Sequence, residues 1–76
     1  MKEMTNYQLK VLAQQKFEQG MGISIPTTKI TLLEADTDGS YVFFKVGNCT
    51  YSYSRLNNAL AVYPNIEGKD GMVIKF

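Results

Sequence analysis

The sequence predicts an α+β fold, on three observations. A capped segment with helical periodicity opens the chain. The stretch from Thr28 to Ser54 then alternates with the period of strands, broken by two tight turns, and a short apolar alternation closes the chain at Met72 to Phe76. With 76 residues and no repeat, low-complexity tract or break in composition, residues 1–76 read as a single small domain with a modest core. An apolar fraction of 45% that includes five Tyr and four Phe is that of a folded chain, not a disordered one.

The helix start is well marked. Thr5 and Gln8 have the spacing of a capping box, and Met4 lies where it staples against Leu9. The helix is expected from Asn6 to Gln19, with Gly20 as its left-handed stop. Leu9, Leu12, Ala13 and Phe17 share one side and should face a sheet, while Lys16 must snorkel along that margin. Met4, Tyr7 and Val11 form a second apolar row, expected to be a fringe partly covered by Met21 to Ile25, with a self-association or partner face as the alternative. Pro26 keeps Ile25 out of the helical region, and Ile23 to Pro26 is expected as a loop.

Three antiparallel strands should follow. Val46-Gly47-Asn48-Cys49 has glycine where a type II′ turn needs positive φ, which sets Val46 against Cys49, Phe44 against Tyr51 and Val42 against Tyr53. At the earlier turn, a three-residue loop with Gly39 left-handed sets Asp36 opposite Ser40, Ile30 opposite Val46 and Leu32 opposite Phe44. A four-residue loop would align Thr31 with Phe44 and waste the apolar match. The predicted core face is thus Ile30, Leu32, Val42, Phe44, Val46, Cys49, Tyr51 and Tyr53. The opposite face is mixed, with Leu33 paired to Phe43 and Tyr41 beside Ala35 among Lys29, Thr31, Lys45, Thr50, Ser52 and Ser54.

Beyond Ser54, Leu56, Ala59, Leu60 and Tyr63 follow helical spacing, so a short helix is expected over Arg55 to Val62, stopped by Pro64. Asn65 to Gly71 reads as a turn-rich link, and Met72 to Phe76 as the last strand. The expected order is αβββαβ, with a right-handed crossover laying the last strand parallel to the first and leaving the third at an edge.

Chemistry is sparsely represented. The chain has no histidine and one cysteine, so Cys49 has no imidazole to activate it, no internal disulfide is available, and zinc lacks its usual ligands. The run Glu34 to Ser40 resembles the first half of an EF-hand loop, but Lys45 stands where the bidentate glutamate belongs, and Asp36 with Gly39 is accounted for by turn formation. Gly68-Lys69-Asp70-Gly71 lacks the spacing of a phosphate loop. Asn48-Cys49-Thr50 matches the glycosylation sequon, yet no apolar leader opens the chain and no run reaches transmembrane length, so a cytoplasmic location is expected. No catalytic, cofactor or metal residues are assigned.

Binding is what remains. Eight basic against seven acidic residues give a net charge of +1, which disfavours a strongly electrostatic nucleic-acid binder. Tyr41, Phe43 and Leu33, rimmed by Lys45, Lys29 and Ser52, have the composition of an interface core with a polar rim, so a non-catalytic protein-binding module is expected. Inhibitors and adaptors, phage-encoded antagonists of host defence among them, share this size class. The alternative is a nucleic-acid module stacking bases on the aromatic sheet face.

Overall fold

The computed structural model describes residues 3–64 and 71–76, and the fold is α+β as expected. A helix, α1 (Asn6–Met21), packs on one face of a five-stranded antiparallel sheet. The strands are β1 (Ile30–Ala35), β2 (Tyr41–Val46), β3 (Cys49–Ser54), β4 (Ala59–Pro64) and β5 (Met72–Lys75), lying side by side in chain order. A 3-10 turn over Thr27–Lys29 leads into β1. The link over residues 65–70, expected to be rich in turns, lies outside the described residues.

The capping box forms as predicted, with Thr5 accepting from the Gln8 N–H at 3.1 Å and Gln8 accepting from the Thr5 N–H at 2.8 Å. The stop does not fall at Gly20. The helix runs one turn-fraction further to Met21, and Gly22 takes the left-handed cap at φ 72°, donating to the Glu18 carbonyl. Gly20 has a different duty: a methyl group there would lie 2.9 Å from Leu60 Cδ2 and 3.4 Å from Ile74 Cδ1. At the other end of α1, the Met4 N–H donates to the Thr37 carbonyl at 2.8 Å, and Met4 and Leu12 cover Gly39. The helix therefore crosses the sheet from the β1–β2 turn to β4 and β5.

The β2–β3 hairpin has the predicted register throughout, with Gly47 at φ 61°. The β1–β2 pairing agrees at Ile30–Val46 and Leu32–Phe44 but departs after Leu32. Asp36 donates to the Tyr41 carbonyl, so four residues, 37–40, span the turn where a three-residue loop was expected. The frame is kept because Leu33 is an extra residue: the register slips between Leu32 and Glu34, and a β-bulge absorbs the longer loop. Ala35 consequently faces Val42 and packs against the core, off the mixed face.

The predicted second helix is a strand. Leu60 and Val62 point to the core between Ala59, Ala61 and Tyr63, which alternate to the other side. Helical spacing misled because Leu56 counted toward it, whereas Leu56 sits in the β3–β4 turn, 93% exposed. Asn58 takes φ 49° in that turn, a conformation that asparagine tolerates. With no crossover helix, β5 pairs antiparallel with β4, so neither the parallel last strand beside β1 nor the edge position of β3 is realised. Pro64 is tolerated at the end of β4 because β5 pairs only as far as Val62.

All eight predicted core-face residues lie under α1, either buried or packed against the buried cluster. Phe44, Val42 and Leu60 are wholly inaccessible, and Leu9, Ala13 and Phe17 close the cluster from the helix. Tyr51 stacks on Phe44 with ring centroids 5.3 Å apart, and Phe17 meets it edge-on at 5.2 Å. Burying a side chain such as Phe44 contributes about 1.5–3 kcal/mol. Among the described residues, no buried side-chain polar atom lacks a partner, and no helix is long and apolar enough to cross a membrane.

Candidate functional site

The helix covers one face of the sheet, and no other described element covers the second. Strand pairing places side chains on that open face in three rows. Tyr41, Ser54, Ala59 and Lys75 form the first row. Phe43, Ser52, Ala61 and Val73 form the second, with the bulge residues Leu33 and Glu34 at its β1 end. Thr31, Lys45, Thr50 and Tyr63 form the third.

Small side chains run down the middle of the first two rows and larger ones stand at the sides. Ser52, Ser54, Ala59 and Ala61 thus floor a trough of about 540 Å³ between Tyr41 on β2 and Val73 with Lys75 on β5. A second depression of similar volume, about 540 Å³, is lined by Leu33, Lys45, Thr50 and Tyr63. Tyr63 is 49% exposed and Val73 61%, values that set them apart from the buried helix-side residues.

Of the residues expected to bind a partner, the sheet brings five together. Tyr41 and Ser52 line the trough, Leu33 and Lys45 line the neighbouring depression, and Phe43 is half-buried in the row between them. Leu33 reaches Phe43 as a bulge residue alongside Glu34, not as its single cross-strand partner. Lys29 is not among them: it belongs to the 3-10 turn before β1 and lines neither depression. Sequence reasoning missed Ala61, Tyr63, Val73 and Lys75, since the helix assigned to β4 hid them. The alternation of Ala59, Ala61 and Tyr63 with Leu60 and Val62 after an Asn-Asn pair was the available signal.

Charge is distributed unevenly over this face. Lys45 and Lys75 are exposed at its margins. Partial burial pushes the Tyr41 phenol up from its ordinary value, and the nearby Glu34 carboxylate adds to the effect, followed by Tyr63 and Asp36. Glu34 and Asp36 thus stand near Tyr41, while Lys45 pairs with Thr31 of β1 and Lys75 lies on β5.

The remaining candidates for chemistry are accounted for structurally. In the β1–β2 turn, Asp38 accepts from the Ser40 N–H at 2.9 Å and Asp36 from the Ser40 hydroxyl at 3.3 Å, so the carboxylates serve the turn. No group of three or more potential metal ligands occurs among the described residues. Cys49 is half-buried against the core, and its thiol helps raise the Tyr51 phenol, which burial has already pushed up.

The second apolar row of α1 is an exposed fringe at Tyr7, and the chain after the helix is tied back along the same side through Gln14 and Glu18, which accepts from the Ser24 hydroxyl at 3.0 Å. Ile25 is held on the Gln14 side, its carbonyl accepting from Gln14 Nε2 at 2.6 Å. Met4, Tyr7, Val11 and Leu12 line a surface depression of about 500 Å³ on the helix itself, with Tyr7 66% exposed.

No protein-family model matches the chain, and neither a curated protein nor a solved structure matches it significantly.

Proposed function

We propose that the chain is a non-catalytic module that binds another protein through the open face of its sheet. The observation that carries this is a second face bearing Tyr41, Phe43, Leu33, Tyr63 and Val73 around a small-residue floor, with nothing among the described residues packed upon it. Aromatic and aliphatic groups at the centre with Lys45, Lys75, Thr50 and Ser54 around them match the core-and-rim composition of protein interfaces. A face so built serves an inhibitor or an adaptor equally well. Nucleic-acid binding is the weaker reading, because the net charge is only +1 and Glu34 and Asp36 add negative charge near Tyr41.

The test is capture from native host lysate, with and without nuclease, using the wild type, the double variant Tyr41→Ser/Tyr63→Ser and the helix-surface variant Tyr7→Ser. A nuclease-resistant partner retained by the wild type and Tyr7→Ser but lost from the folded double variant is expected. Equal retention by all three removes the open face from the site. Loss on nuclease treatment transfers the face to nucleic acid.

A further inference from the structure

The two edges of the sheet differ in how they meet solvent. β1 is interrupted by the bulge at Leu33 and carries exposed Glu34, devices that discourage edge-to-edge pairing. β5 has no bulge in its register with β4, no proline and a single charge, Lys75. Apolar groups stand on both its sides, with Met72 52% and Val73 61% exposed.

The direction of the β5 backbone groups follows from one contact. The Phe76 N–H donates to the Asn58 carbonyl at 2.9 Å, and the Phe76 carbonyl accepts from Asn58 Nδ2 at 3.1 Å, so the polar groups of Phe76 face β4. Backbone direction alternates along an antiparallel strand, which turns those of Ile74 and Met72 toward β4 as well. The N–H and C=O of Val73 and Lys75 therefore point off the edge, where no described strand receives them.

We infer that β5 pairs antiparallel with β5 of a second copy of this chain, about a two-fold axis passing beside Ile74. An axis perpendicular to the sheet keeps like faces together, as residues paired across an antiparallel ladder require. Centred on Ile74, it sets Val73 opposite the second copy's Lys75 and Lys75 opposite its Val73, and every outward backbone group of these residues is then paired. On the helix side, Met72 meets Phe76 and Ile74 meets Ile74. On the open side, the lysine stem lies along valine. Centring on Val73 instead sets Lys75 against Gly71, which offers the lysine stem no side chain to lie along. The strand is short, so the association is weak, and it joins two five-stranded sheets into one without covering the open face proposed above.

Sedimentation of the wild type over a rising concentration series tests the pairing. A reversible shift from monomer to dimer is expected, and Val73→Pro should abolish it, because it removes an outward donor and leaves the ladder to β4 in place. Cross-linking keeps the test independent of how well the proline variant folds. In a Cys49→Ser background, oxidised Ile74→Cys should form a disulfide dimer, since non-hydrogen-bonded antiparallel partners lie about 4.5 Å apart at Cα, while Val73→Cys should not. A wild type that stays monomeric at every concentration, or a cross-link at Val73→Cys without one at Ile74→Cys, overturns the proposal.

Discussion

Gly20 of α1 and Leu60 of β4 are so close that a methyl group at Gly20 would lie 2.9 Å from Leu60 Cδ2. This contact fixes how closely the helix approaches the far side of the sheet. Gly20→Ala gains about 1 kcal/mol of helix propensity, yet overpacks a side chain that is wholly buried, an effect of about 1–3 kcal/mol. The expected outcome is a lower Tm. Shortening the obstructing side chain with Leu60→Val should make Gly20→Ala neutral or stabilising. A double-mutant cycle by urea unfolding measures that coupling, and additive effects would show that the two residues do not constrain one another.

Gly39 and Gly47 both have positive φ, +79° and +61°, but only one is covered. A methyl at Gly39 would meet Met4 Sδ at 2.7 Å, whereas nothing lies within 4 Å of one at Gly47. Alanine in the left-handed region is disfavoured at both by about 1–2 kcal/mol. Gly39→Ala should be the worse of the two by a further kcal/mol or so, of order 1 kcal/mol for overpacking. Pairing it with Met4→Ala should shrink the difference. Equal unfolding free energies for the two single variants would mean that the N-terminal cover of the turn is loose.

The parts of the fold legible in the sequence are those fixed by local chemistry. Gly47 in a two-residue turn set the β2–β3 register, and the apolar match of Leu32 with Phe44 set half of β1–β2. The bulge at Leu33 was illegible because a shorter loop without a bulge preserves the same apolar pairs near the strand start. β4 is ambiguous in sequence because Leu56, Ala59, Leu60 and Tyr63 have helical spacing while Leu60 and Val62 alternate with Ala59, Ala61 and Tyr63, and a tertiary neighbour, β5, decides between the two. That ambiguity carried into the site: Tyr41, Phe43 and Ser52 were seen, while Tyr63 and Val73 across the same face were not. Gly20 has the sequence position of a cap, and only the packing of Leu60 beneath it shows its other duty.

Ser40 holds the Asp38 carboxyl below its ordinary value of 3.8, first through its hydroxyl, which it shares with Asp36, and next through its N–H, with Arg55 3.9 Å away contributing less. A carboxyl depressed in the folded state stabilises the fold above the unfolded-state pKa, and this contribution is lost as pH falls through the folded-state pKa. Acid should therefore loosen the β1–β2 turn. The Asp38 carboxyl resonance, followed by NMR, should titrate below 3.8 in the wild type and closer to it in Ser40→Ala. Removing Arg55 should move it little, since exposed ion pairs contribute weakly. An unchanged midpoint in Ser40→Ala would refute the assignment of the Ser40 hydroxyl as the principal cause.

Lys16 lies on the helix margin with its Nζ 4.9 Å from the Tyr53 ring centroid and 5.2 Å from that of Phe76. The two rings are themselves 6.2 Å apart, so one ammonium bridges β3 and the residue following β5. A cation over an aromatic face contributes about 0.5–1 kcal/mol at sites open to water, and the lysine stem adds packing that does not depend on charge. Lys16→Met keeps most of the stem and deletes the charge, whereas Lys16→Gln deletes the charge and shortens the stem. Lys16→Met should lower stability by about 0.5–1 kcal/mol if the rings hold the ammonium, and Lys16→Gln by somewhat more. In a Phe76→Leu background the effect of Lys16→Met should fall by roughly half, because Tyr53 is left as the single ring facing the charge. Urea unfolding of the five proteins reads this directly, and a Lys16→Met variant as stable as the wild type would leave the lysine as packing alone.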